Sequence, residues 1–141
     1  MTPEQLALVQ ASYASLGDER TETTREFYRR LFAADPTVEA MFSTDPEVQT
    51  EKFTSELAAI VEAIGSFDEV SPRLGDLAAR HVDYGVLTRH YRLVGEALLG
   101  ALAAALGPAW DEATEAAWRL AYNLVAEVMM SAAAEVSRSA G

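Results

Sequence analysis

Two side chains in this sequence are best suited to holding a metal or moving protons near neutral pH. They are His81 and His90, and both fall within "ARHVDYGVLTRHY" at residues 79–91. Without cysteine, the 141 residues offer neither a disulfide framework nor a thiolate metal site. A site built on two histidines would need carboxylates or a third nitrogen placed to converge. The HExxH, EF-hand, GxGxxG, GxxxxGK[ST] and GxSxG patterns are all absent. Serine, histidine and aspartate occur, but no local motif arranges them as a triad. Any chemistry here would be carried by a cofactor.

His81 closes an apolar helical stripe of Leu74, Leu77 and Ala78. One reading is a core histidine whose ring nitrogens find backbone carbonyls. The other is a buried neutral imidazole serving as an iron ligand. One histidine on an apolar face of an all-α chain points to haem held by a single proximal imidazole. His90, between Arg89 and Arg92 in the first turn of the next helix, reads as solvated.

The elements that would position these residues are helical nearly throughout. Thr2-Pro3 is an N-cap and first-turn pair, Leu6, Val9 and Tyr13 space out an apolar face, and Gly17 closes the segment. A second helix starts near Asp18; Tyr28, Leu31 and Phe32 share one face, and Asp35-Pro36 ends it. A short piece follows, and Asp45-Pro46 opens a longer helix to about Ile64. Ser71-Pro72 reads as the next start, with Gly85 as its stop. Thr88 caps a helix to about Leu106. The last runs from about Asp111 to Val136, with Trp118, Tyr122, Val125 and Met129 at heptad-like spacing. No period-2 alternation, repeat or low-complexity segment appears. The expectation is one all-α domain over 1–141, with about six long helices and one or two short ones.

Composition narrows the partners. Half the residues are apolar, enough for a sizeable core. A net charge of −11, from 22 acidic and 11 basic residues, argues against nucleic acid or an anionic membrane as partner. The apolar run "ALLGALAAAL" at 97–106 is too short to cross a bilayer, and the N-terminus lacks the form of a signal peptide. A cytoplasmic protein is expected.

Three separated segments carry a family resemblance: "FYRRLFAADPTVEAMF" at 27–42, "ARHVDYGVLTRHYRLVGEALL" at 79–99, and the pattern W...AY...A at 118–126. The chain resembles the bacterial single-domain globins, which are similar to the haem domain of flavohaemoglobins. The resemblance implies the three-over-three globin fold and a haem b (iron protoporphyrin IX) cofactor. It implies that His81 is the proximal iron ligand, that Phe42 packs on the haem face, and that the Tyr28 hydroxyl faces bound gas. Gln49, seven residues after Phe42, falls on the distal glutamine; an alignment with a longer loop would put Lys52 there instead. Lys52 is otherwise a propionate partner and Phe53 a distal wall residue. Leu77, Tyr84, Val86, Tyr91 and Val94 are expected to line the cofactor. Tyr91 and Glu135 fall on a tyrosine and a glutamate that hydrogen-bond around the proximal histidine. Singly, Tyr28 and Phe42 would be core aromatics, Gln49 and Lys52 a solvated helix face, and Glu135 a residue on a solvated last turn. Their spacing relative to His81 is what speaks for a site.

The activity so implied is reversible binding of diatomic ligands, O2, NO and CO. It extends to oxygen transport or to nitric oxide dioxygenation with electrons from a separate reductase, since no reductase domain is recognisable. Two other readings stand beside it: a haem-based gas or redox sensor, and a haem-free interaction protein on the same fold.

Overall fold

A computed structural model describes residues 1–42, 45–83 and 87–140, excepting the side chains of 67–71, 83 and 136–140. Six long helices and one short helix follow in order: α1 (Pro3–Leu16), α2 (Arg20–Ala34), α3 (Pro36–Glu39), α4 (Pro46–Ala63), α5 (Phe67–Asp83), α6 (Thr88–Leu106) and α7 (Glu112–Ala140). Single 3-10 turns at Gly17–Glu19 and Gly107–Ala109 bridge neighbours. No strand occurs among the described residues.

Local chemistry sets most of the boundaries. Thr2 and Gln5 form a reciprocal capping box at the head of α1, with N–H···O distances of 3.1 and 2.8 Å. Asp35 and Asp45 each accept backbone N–H bonds at the heads of α3 and α4, at 3.0 Å from Thr37 and 2.8 Å from Glu47. The proline after each aspartate has no N–H to lose at that position. Asp111 caps α7 through the Thr114 N–H at 2.8 Å.

Two expectations need correction. The α5 helix begins at Phe67, so Pro72 lies inside it instead of opening it. The missing proline N–H there costs a single bond near the helix start, which the surrounding turns tolerate. At the head of α6, Thr88 is already helical and the residue before it, Leu87, is the N-cap. Gly85, expected to stop α5, lies outside the described residues.

The helices pack in two layers: α1, α4 and α5 over α2, α6 and α7. Contacts run within each layer (α1 with α4, α4 with α5, α2 with α6, α6 with α7) and across them (α5 and α1 with α7, α2 with α4). This is the three-over-three arrangement. The main core joins Val9, Tyr13 and Leu16 to Phe27, Tyr28, Leu31, Ala97, Leu98, Ala101, Leu102 and Trp118. Each large side chain buried there is worth about 1.5–3 kcal/mol before entropy is counted. Ile60, Leu74, Ala78 and Met129 form a second cluster between α4, α5 and α7. Residues 88–109 are long and apolar enough to cross a membrane by length and composition, beyond the ten-residue run seen in sequence. In this fold α6 is instead a central helix, with Leu98, Leu99, Ala101 and Leu102 buried against its neighbours.

Candidate functional site

On the α2–α4 side, the inward stripe of α2 carries Thr24, Phe27, Tyr28 and Leu31, all buried. The Thr24 and Thr54 hydroxyls share a hydrogen bond of 2.7 Å where α2 meets α4, and Thr54 also donates to the Thr50 carbonyl at 2.8 Å. These short side chains let the two helices approach closely. One turn further along α2, Gln49 of α4 donates from Nε2 to the Tyr28 hydroxyl oxygen at 3.2 Å. Burial pushes the Tyr28 phenol up to about 12, with the Gln49 bond acting weakly against it. Tyr28 therefore stays a neutral O–H. Its oxygen already accepts from Gln49, so its own proton is available to donate elsewhere.

Aromatic rings fix this phenol on several sides. Phe42 meets Tyr28 edge-on at 5.6 Å, Phe32 stacks on it at 5.6 Å, and Phe53 contacts it edge-on at 5.8 Å. Phe53 in turn stacks on Phe27 at 4.5 Å. Sequence reading singled out Tyr28, Phe42 and Phe53 and missed Phe27 and Phe32 as parts of the cage; the position of Phe32 one turn after Tyr28 was the available signal. Gln49, not Lys52, is the α4 residue bonded to Tyr28. Lys52 is exposed.

On the α5 side, His81 is half-buried and its Nδ1 lies 2.7 Å from the Leu77 carbonyl oxygen. A carbonyl only accepts, so Nδ1 carries the hydrogen and Nε2 is the ring nitrogen with the lone pair. Burial holds the imidazole below its ordinary range, and the neighbouring Arg80 adds to this. The Leu77 bond and Glu56 of α4 act in the other direction. Glu56 is itself held by Arg73 of α5 at 3.3 Å. Leu77 and Tyr91 pack against the Ile60, Leu74, Ala78 and Met129 cluster, while Val94 packs on the main core.

Glu135 and Tyr91, expected around the proximal histidine, lie in different surroundings. Glu135 is exposed near the end of α7, where a carboxylate keeps its hydration instead of entering an apolar cluster. Burial raises the Tyr91 phenol, and its backbone carbonyl accepts the Tyr122 hydroxyl proton. Tyr84 and Val86 lie outside the described residues. His90 also departs from expectation: it is 6% exposed, and its Nδ1 accepts the Leu87 N–H at 2.8 Å. It is a buried helix cap, not a solvated residue.

The two sides present a neutral imidazole with its tautomer set, a phenolic donor braced by an amide, and apolar rings around it. This donor set fits a single-histidine haem site. No group of three or more candidate metal-ligating side chains occurs among the described residues, so no competing metal cluster is present there.

Comparison with known proteins points the same way. Over 134 residues, 92% of its length, the chain is 37% identical to a flavohemoprotein of Deinococcus radiodurans, spanning about a third (33%) of that relative. A solved bacterial globin from Campylobacter jejuni superposes with a TM-score of 0.86 at 27% identity, covering 97% of this chain and 99% of that one. An engineered carbene transferase, a candidate nitric oxide dioxygenase from Rhodothermus marinus, superposes with a TM-score of 0.89 at 28% identity, covering 99% and 97%. The family model described as Globin matches residues 25–129, and on that match the chain belongs to the globin family.

Proposed function

We propose that the chain binds haem b through His81 and uses Tyr28 and Gln49 to hold a diatomic ligand, O2 or NO, for nitric oxide dioxygenation. The observation that carries the reading is the Gln49–Tyr28 hydrogen bond of 3.2 Å, which leaves a buried, neutral phenol proton to donate. When bound, haem supplies an iron that takes a diatomic ligand and transfers an electron.

This chain's residues do the rest. The Leu77 carbonyl orients the His81 ring and raises the basicity of Nε2. The Tyr28 hydroxyl donates to the ligand oxygen that gains negative charge, and the Gln49 amide strengthens that donor by polarising the phenol. Phe32, Phe42 and Phe53 keep water from competing for the phenol. Lys52, exposed on α4, would pair with a propionate. Electrons come from a reductase. The flavohemoprotein relative and the candidate nitric oxide dioxygenase neighbour support this reading.

The test is to mix reduced, haem-loaded protein in air with nitric oxide and count the nitrate formed per haem. One nitrate per haem supports the dioxygenase reading. Ligand binding without nitrate would leave a carrier of oxygen or nitric oxide.

A further inference from the structure

The Tyr28–Gln49 pair joins two helices, and its α4 member stands on a helical turn without a buried side chain. Asp45, Pro46, Glu47 and Val48 are all exposed, Gln49 is half-buried, and full burial on α4 begins at Thr50. Val48, the apolar side chain of that turn, is 43% exposed. The turn is closed along its own axis: Asp45 accepts the Glu47 N–H at 2.8 Å, and the Gln49 N–H reaches the Asp45 carbonyl at 3.0 Å. Neither bond fixes where the turn sits against α2.

Arg25 of α2, three residues before Tyr28, supplies that restraint. Its guanidinium closes a fork on Glu47, Nη2 to Oε2 at 2.8 Å and Nε to Oε1 at 3.3 Å. Two donors against two acceptors fix direction as well as distance. Glu22, 3.1 Å from Nη1, braces the other edge of the guanidinium. Arg29 and Arg30 form their ion pairs with Glu22 and Glu26 of their own helix. Among the described residues, Arg25–Glu47 is therefore the ion pair that crosses from α2 to α4. The Arg25 bonds and charge hold the Glu47 carboxyl below the ordinary carboxylate range, which keeps the pair ionised at neutral pH. The fork and the Tyr28–Gln49 bond of 3.2 Å are neighbouring rungs between the same two helices.

We propose that Arg25 is a positioning residue for Gln49: through the fork on Glu47 it sets the lateral position of the first turn of α4, and with it the reach of the Gln49 amide to the Tyr28 hydroxyl. The proposal rests on the reading of Tyr28 and Gln49 as the ligand-holding pair. An exposed ion pair adds little to overall stability. Its effect here is on where one turn lies, so ligand properties move while Tm hardly does.

The experiment reads the C–O stretching band of the ferrous carbon monoxide form, the rate of oxygen loss and Tm. It compares haem-loaded wild type with Arg25→Gln, Arg25→Lys, Arg29→Gln, Gln49→Leu and the double variant Arg25→Gln/Gln49→Leu. Arg25→Gln is expected to move or split the band toward that of Gln49→Leu, with Tm near wild type. It should release oxygen about two- to fivefold faster, the range an exposed ion pair supports. Arg25→Lys keeps the charge and loses the fork, and should fall between wild type and Arg25→Gln. Arg29→Gln removes the same charge and also disturbs Glu22, but its ion pairs lie within α2; it should keep the wild-type band and rate. Because Arg25 acts through Gln49, the double variant should match Gln49→Leu alone. A wild-type band and rate in Arg25→Gln, an equal change in Arg29→Gln, or a further change in the double variant overturns the positioning role while the ligand-holding pair stands. If Gln49→Leu itself moves neither band nor rate, the pair fails and the proposal with it.

Discussion

Tyr28→Phe isolates the phenolic proton. The ring keeps its contacts with Phe32, Phe42 and Phe53, at 5.6, 5.6 and 5.8 Å, so the apolar cage survives. What disappears is one hydroxyl oxygen that accepts from Gln49 and one O–H that would face a bound ligand. A net hydrogen bond between neutral groups is worth about 1 kcal/mol, while one to a charged group is worth about 1.5–3 kcal/mol. Because tenfold corresponds to about 1.4 kcal/mol, oxygen should leave the reduced, haem-loaded variant about ten- to a hundredfold faster. Gln49 complicates the magnitude. Its Nε2 lies 3.2 Å from the oxygen that is removed, and a rotated amide could donate to the ligand itself. The double variant Tyr28→Phe/Gln49→Leu should therefore show the full effect and the single variant the smaller one. Stopped-flow displacement of oxygen by carbon monoxide measures both. Rates equal to wild type in both variants would refute the role of this pair.

Other outcomes follow from the same geometry. His90→Ala should keep haem uptake but lose about 1 kcal/mol of stability, because the Leu87 N–H loses its acceptor at 2.8 Å; an unchanged chemical-denaturation midpoint would contradict this. Gly95→Ala meets the Tyr122 ring at 2.6 Å and should destabilise by about 1–3 kcal/mol. Gly100→Ala meets first the Arg30 guanidinium, a flexible group, at 2.8 Å; with better helix propensity it should be neutral or stabilise by up to about 1 kcal/mol. The pair fails if both variants change Tm alike. The Tyr28 phenol, raised to about 12 by burial, binds its proton more tightly folded than unfolded. Its contribution to stability is complete below about pH 10 and is lost as pH rises through about 12. An ultraviolet tyrosinate titration should show a late-ionising class that shrinks in Tyr28→Phe, and a Tyr28 that ionises with the exposed phenols would contradict its burial.

Much of the fold is legible because it is written locally. Aspartate-proline pairs at 35–36 and 45–46 mark helix heads, and the stripe of Tyr28, Leu31 and Phe32 declares an inward face. What depends on crossing geometry is not legible. His90 sits between two arginines and looks solvated, yet the ring turns back to cap α6 and is covered by packing from other elements. Glu135 ends an apolar stripe along α7, but by that point the helix has turned its side chain to water. Pro72 mimics a helix start because sequence alone does not show the turn that precedes it. The fit of Tyr122 on Gly95 needs two helices at contact distance, and neither residue announces it.

The central claim is that one histidine of the two holds haem, and it is tested most directly by titrating purified protein with haemin, wild type beside His81→Ala and His90→Ala, with ferrous carbon monoxide spectra recorded at each end point. The account predicts tight one-to-one uptake in the wild type and in His90→Ala, and loss of that uptake in His81→Ala. Uptake indifferent to His81 would contradict the account, and none in the wild type would contradict it and leave a globin fold serving as a haem-free interaction domain.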